Sequence, residues 1–137
     1  MSAMPADSRG RADVELRVPA VGVYASVLRT TCAGLAARLD FTIDEIEDLR
    51  IAVSEAASLL LPEARPGGDL VGEFFLSPGS VRVRLTVPVE GPVRLDEGSF
   101  AWQVLTTLAD AFAAESDDST LTIGFTVTSA LAPEATA

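Results

Sequence analysis

The sequence predicts a two-layer α/β sandwich: a mainly antiparallel sheet with helices on one face. Three observations carry that expectation. The strand-like segments are one-sided rather than continuously apolar, so each buries a single face. Two consecutive helical patterns separate the first strand from the others, which places the helices together. A four-residue connection joins two of the strands, too short for anything but an antiparallel hairpin.

The elements follow in order. From Val14 to Val18, Val14, Leu16 and Val18 alternate with Glu15 and Arg17, a half-buried strand that Pro19 ends. Tyr24, Leu28, Thr31, Leu35 and Leu39 then recur at helical spacing without an intervening proline, which predicts one helix from about Ala20 to Leu39. Thr42-Ile43-Asp44-Glu45 reads as a capping box that opens a second helix. Its apolar stripe is Ile43, Ile46, Leu49, Val53, Ala56, Ala57 and Leu60, and Pro62 with Pro66-Gly67-Gly68 stops it.

Leu70 to Leu76 and Val81 to Val87 are the hairpin strands, joined by Ser77-Pro78-Gly79-Ser80. In the second of them Val81, Val83, Leu85 and Val87 point one way, and Arg82, Arg84 and Thr86 the other. That second row is expected to keep an open sheet face wet. Ser99 can cap a third helix with Val104, Leu108 and Ala111 or Phe112 inward. After the Ser116-Asp117-Asp118-Ser119 turn, Leu121, Ile123, Phe125 and Val127 form the inward row of a last strand.

At 137 residues the chain suits one domain. Residues 13–129 are expected to fold, and 1–12 and 130–137, rich in small residues, Pro and Gly or Glu without periodicity, to form tails. The formal charge of −10 would repel a phosphate backbone and an anionic lipid surface, so neither nucleic acid nor membrane is an expected partner. It suits a basic protein surface, or serves solubility alone. There is no histidine, which excludes Ser-His and Cys-His nucleophiles and a histidine-based zinc site. The single Cys32 forbids an intramolecular disulfide and fits a buried thiol. No signal-peptide core or membrane span is visible, which makes the cytoplasm the expected compartment.

The stretch from Leu39 to Ala56, with Thr42-Ile43-Asp44-Glu45 at its start and Ala52-Val53-Ser54-Glu55-Ala56 at its end, resembles the second-helix region of anti-sigma factors of the RsbW and SpoIIAB kind. These are serine protein kinases with the ATP-binding fold of histidine kinases, gyrase and MutL. The likeness runs upstream without gaps to Leu16, and Gly98 to Asp110 is similar to actinobacterial members that regulate stress or developmental sigma factors.

The resemblance implies that Glu55 stands at the general-base position and Leu59 at that of a magnesium-ligating asparagine. Leucine has no oxygen to offer a hard cation. The adenine-binding Asp-x-Gly-x-Gly loop corresponds to Pro88-Val89-Glu90-Gly91-Pro92-Val93, and the glycine-rich phosphate lid to Asp96-Glu97-Gly98-Ser99. Both have lost most of their glycines, and the second carries two carboxylates that repel phosphate. No cofactor, no metal and no phosphotransfer are therefore expected, with Glu55 vestigial.

The function so implied is sequestration of an alternative sigma factor by a homodimer, under partner switching with a STAS-type anti-anti-sigma protein. Two rivals stay open: a residual ATP-dependent serine kinase, and a non-sigma regulatory adaptor that uses the old nucleotide pocket. The expected partner-binding residues are Tyr24 and Arg29 on the first helix, Asp44, Glu45 and Asp48 on the second, and Phe100 and Trp102 on the third. Arg29 stands where the resemblance places an arginine that grips the sigma factor. The acidic trio also complements a helix N-terminus, and core packing competes for one of the two aromatics.

Overall fold

The structure is a computed structural model and describes residues 10–130. The segments 1–9 and 131–137, which make up most of the two expected tails, lie outside the described residues. The elements are β1 (Val14–Pro19), α1 (Ala25–Arg38), α2 (Ile43–Leu60), β2 (Asp69–Ser77), β3 (Ser80–Pro88), α3 (Phe100–Leu108), β4 (Ala111–Ser116) and β5 (Thr120–Thr128). Among the described residues the sheet has five strands in the order β1-β2-β3-β5-β4, each pair antiparallel. It is the expected two-layer α/β sandwich.

The alternation sets the layers. Val81, Val83, Leu85 and Val87 of β3 and Leu121, Ile123, Phe125 and Val127 of β5 are all buried, facing Leu28 and Cys32 of α1, Leu49, Val53 and Leu60 of α2 and Leu105 of α3. α2 touches both α1 and α3 and is the central helix of its layer. The contact between layers is close enough to require glycine at one point. A Cβ on Gly72 of β2 would lie 2.7 Å from Leu28 Cδ2. Cys32 is buried as expected, and burial pushes its thiol up to about 12.

The opposite sheet face carries no helix. There Arg84 Nε donates to Glu73 Oε1 at 2.9 Å, and the guanidinium of Arg82 lies 4.0 Å from the centre of the Phe75 ring. Arginines therefore cover the one large aromatic on that face and keep it from water.

Three expectations need correction. The first helix does not begin at Ala20: Val21 is extended, Gly22–Tyr24 form a single 3₁₀ turn, and α1 starts at Ala25. The buried row is Ala25, Leu28, Cys32 and Ala36, so Tyr24 lies at the N-cap and outside the core. Ile43, counted in the apolar stripe of α2, is 84% exposed because it occupies the first turn, beyond the reach of the neighbouring helices. The third helix ends at Leu108, with Leu105 as its buried residue; Ala109 is extended, and Ala111 and Phe112 belong to β4, a strand the helical spacing concealed.

Two local devices set the corner between α1 and α2. Asp40 adopts φ 63° just past the end of α1, and the Phe41 amide reaches back to Ala36 O at 3.2 Å, closing the helix in a Schellman arrangement. The capping box forms as expected: Glu45 N donates to Thr42 Oγ1 at 3.1 Å and Thr42 N to Glu45 Oε1 at 2.9 Å. At the far end of the chain, the Asp117 carboxylate accepts the amides of Ser119 and Thr120 and tightens the turn into β5.

Candidate functional site

Two regions concentrate the residues singled out by the sequence. The first is where the resemblance would put a nucleotide. Glu55 and Leu59 lie one turn apart on α2, both half-buried. Leu59 packs against the core, so the side chain at this position contributes apolar contact and no ligand atom. The segment after β3 is drawn onto the fold: Val89 N donates to Ser119 O at 2.9 Å, Val93 N donates to Ser116 Oγ at 2.8 Å, and Val93 and Leu95 pack on the core. Asp96 Oδ1 accepts the Gly98 amide at 2.8 Å, a tight turn that delivers Ser99 to the N-cap of α3, where its Oγ accepts from Trp102 N. The Gly98 and Ser99 amides are thus engaged inside the loop, beside the exposed carboxylates of Asp96 and Glu97. The residues present do not fit a magnesium nucleotide. Among the described residues no group of three or more His, Cys, Asp or Glu side chains is placed to hold a metal ion.

The second region is the start of α1. Val21, Val23, Tyr24 and Val27 are exposed by 54, 71, 43 and 41%, an apolar patch produced by the late start of the helix. Half-buried Arg29 follows it by half a turn and has no hydrogen bond or ion pair among the described residues. An exposed apolar patch of this kind suits a protein partner, as does an arginine without a polar partner among the described residues, because arginine and aromatic side chains anchor interfaces.

The acidic trio divides. Asp44 and Asp48 are exposed, whereas Glu45 is engaged at both oxygens: Oε1 accepts from Thr42 N and from Ser129 Oγ at 2.8 Å, and Oε2 accepts from Ala130 N at 2.7 Å. These bonds, the Thr42 amide foremost and then that of Ala130, lower its pKa to about 2. Glu45 thereby ties the end of β5 to the start of α2.

The aromatic pair also divides. Phe100 is 77% exposed, and Trp102 meets Phe112 of β4 edge-on with ring centres 4.7 Å apart. The sequence reading missed Val21, Val23 and Val27. A signal for the first two was available: Val21 and Val23 flank Gly22 shortly after Pro19, and both β-branched residues and glycine disfavour helix. Nothing in the spacing marked Phe112 as the neighbour of Trp102, because β4 itself was unseen.

No protein-family model matches the chain. Among curated proteins it is similar to the serine-protein kinase RsbW of Bacillus subtilis, 42% identical over 76 residues, and to that of Bacillus cereus, 37% identical over 76 residues. These matches cover 56% of this chain and 47 and 46% of the relatives, so the chain spans about half the length of the curated relatives it matches. Among solved structures, the RsbU and RsbW domains of a Mycobacterium tuberculosis protein align with a TM-score of 0.66 at 16% identity, over 85% of this chain and 32% of that one. The identity to the Bacillus proteins and the shared architecture agree with the order of elements: over 76 residues the chain is similar to serine-protein kinase RsbW, and it shares its fold with a structure that contains an RsbW domain.

Proposed function

We propose that the protein sequesters an alternative sigma factor through the start of α1, without turning over nucleotide. The observation that carries this reading is the exposed apolar patch of Val21, Val23, Tyr24 and Val27 at the start of α1, with Arg29 on the same helix and without a polar partner among the described residues. It coincides with the position where the family likeness puts a sigma-gripping arginine. Phe100 supplies a further exposed anchor, and Asp44 and Asp48, exposed at the opposite end of the α1–α2 pair, add charge that suits a basic partner. A homodimer in the cytoplasm, relieved of its sigma factor by a STAS-type anti-anti-sigma protein, completes the proposal. With the nucleotide centre degraded, release depends on competition between partners or on phosphorylation by another enzyme.

The experiment is a titration of the host's sigma factors with the protein and its Arg29→Glu variant. A complex is expected, and the variant should weaken it by about 2 kcal/mol, as for loss of one member of a desolvated charge pair. Unchanged affinity with the fold intact would remove Arg29 from the interface. The second reading, serine kinase, has support in the names of the Bacillus relatives. Leu59 and the closed 89–99 segment oppose it. Labelled phosphate on a STAS protein, transferred at a rate that Glu55→Ala abolishes, would establish that reading instead.

A further inference from the structure

The two edges of the sheet differ. β1 carries Glu15, Arg17 and Pro19, the charges and proline by which natural edges repel an added strand. β4, Ala-Phe-Ala-Ala-Glu-Ser, has one charge and no proline, and among the described residues it pairs with β5 alone. Its outer backbone groups are bordered by short side chains that obstruct little.

Beside this edge lies a cavity of about 270 Å³. The segment 93–97 and the first turn of α3 enclose it with Val93, Leu95 and Trp102, and β4 itself forms the sheet-side wall through Ala114, Glu115 and Ser116. Its charged lining is Glu97, Glu115 and Arg94, a net negative rim around an indole that Phe112 holds in place. Apolar walls accept the aliphatic stem of a long basic side chain, and an indole with the exposed Glu97 carboxylate accepts its charged head. Recognition by strand addition uses both features, main-chain bonds at an edge and a pocket for one side chain.

We propose that the β4 edge binds an extended peptide as a sixth strand, with one arginine or lysine side chain of that peptide in the Trp102 cavity. The net charge of −10 draws such a cationic segment in. The cavity is separate from the start of α1, and although the first turn of α3 that borders it also carries Phe100, Glu97→Arg and Arg29→Glu distinguish this site from sigma-factor binding through α1.

Trp102 is the only tryptophan, which makes its emission a direct report. The probe is the peptide acetyl-Thr-Val-Arg-Val-Thr-amide, titrated into the intact protein. A saturable change in emission is expected, weakened about tenfold in Glu97→Arg, an exposed loop change whose circular dichroism should match the parent. The same peptide with Glu in place of Arg, or with N-methylated amides on alternate residues, should fail to bind. Absence of a saturable change, equal binding of either control peptide, or unchanged affinity in Glu97→Arg would overturn the proposal. So would an emission change that follows protein concentration alone, because the edge would then serve self-pairing.

Discussion

Glu45 illustrates how a single side chain can be read correctly and incompletely at once. Its place in a capping box was legible, since that motif is local and needs only a threonine three residues earlier. Its bonds to Ser129 and Ala130 span 84 and 85 residues of sequence and left no mark in it. These bonds favour the ionised form, so the folded-state pKa, about 2, lies below the ordinary value of 4.5. The stabilisation is present in full above the ordinary value and is lost as pH falls from there through about 2. Glu45→Gln should therefore be less stable than the parent at pH 6, with the gap closing as pH falls from about 4.5 toward 2. Denaturant unfolding of both proteins at pH 6 and pH 3 checks this; a gap constant with pH would mean that the charge on Glu45 contributes nothing.

Among the elements, the strands and α2 were readable because their residues obey a single period and end at proline or glycine. The hairpin appears almost residue for residue, with Ser77 opposite Ser80. β4 was hidden because Ala111 and Phe112 also continue the helical spacing of α3, and the chain leaves the helix at Ala109 only because Asp110 is claimed by β5: its amide donates to Thr126 O and its carboxylate accepts the Thr128 amide. The start of α1 slipped for a related reason. Spacing alone does not register that Val21 and Val23 resist helix, nor that Ala25, Cys32 and Ala36 allow a closer approach to the sheet than Tyr24 and Leu35 would. Gly72 is the counterpart on the sheet. Gly72→Ala drives a methyl group against Leu28 and should lower stability by about 1 to 2 kcal/mol through overpacking, measured by denaturant unfolding. Equal or greater stability would show that α1 can move away from β2 freely.

For the whole molecule, Leu59 and the missing glycines are the sequence features on which the proposal of sequestration without nucleotide rests. The surface left to bind partners was legible only in part, because exposure depends on how α1 enters the fold. The charge of −10 adds a kinetic expectation. Steering acts over roughly a Debye length, about 10 Å at 0.1 M salt, so added salt should slow association with a basic sigma factor and change dissociation less, since apolar groups such as Val23 and Phe100 set the lifetime. Stopped-flow association and dissociation rates across a salt series test this. A flat association rate with accelerating dissociation would reduce the acidity to a solubility feature and assign the lifetime to ion pairs.

Sequestration without nucleotide is the central claim, and calorimetric titration of the purified protein with its sigma factor, in nucleotide-free buffer and again with ATP and magnesium, tests it most directly. A stable complex is expected in the first buffer and the same affinity in the second, because Leu59 offers magnesium no oxygen and the segment before α3 has lost its glycines. A complex that forms only when ATP and magnesium are present would contradict it.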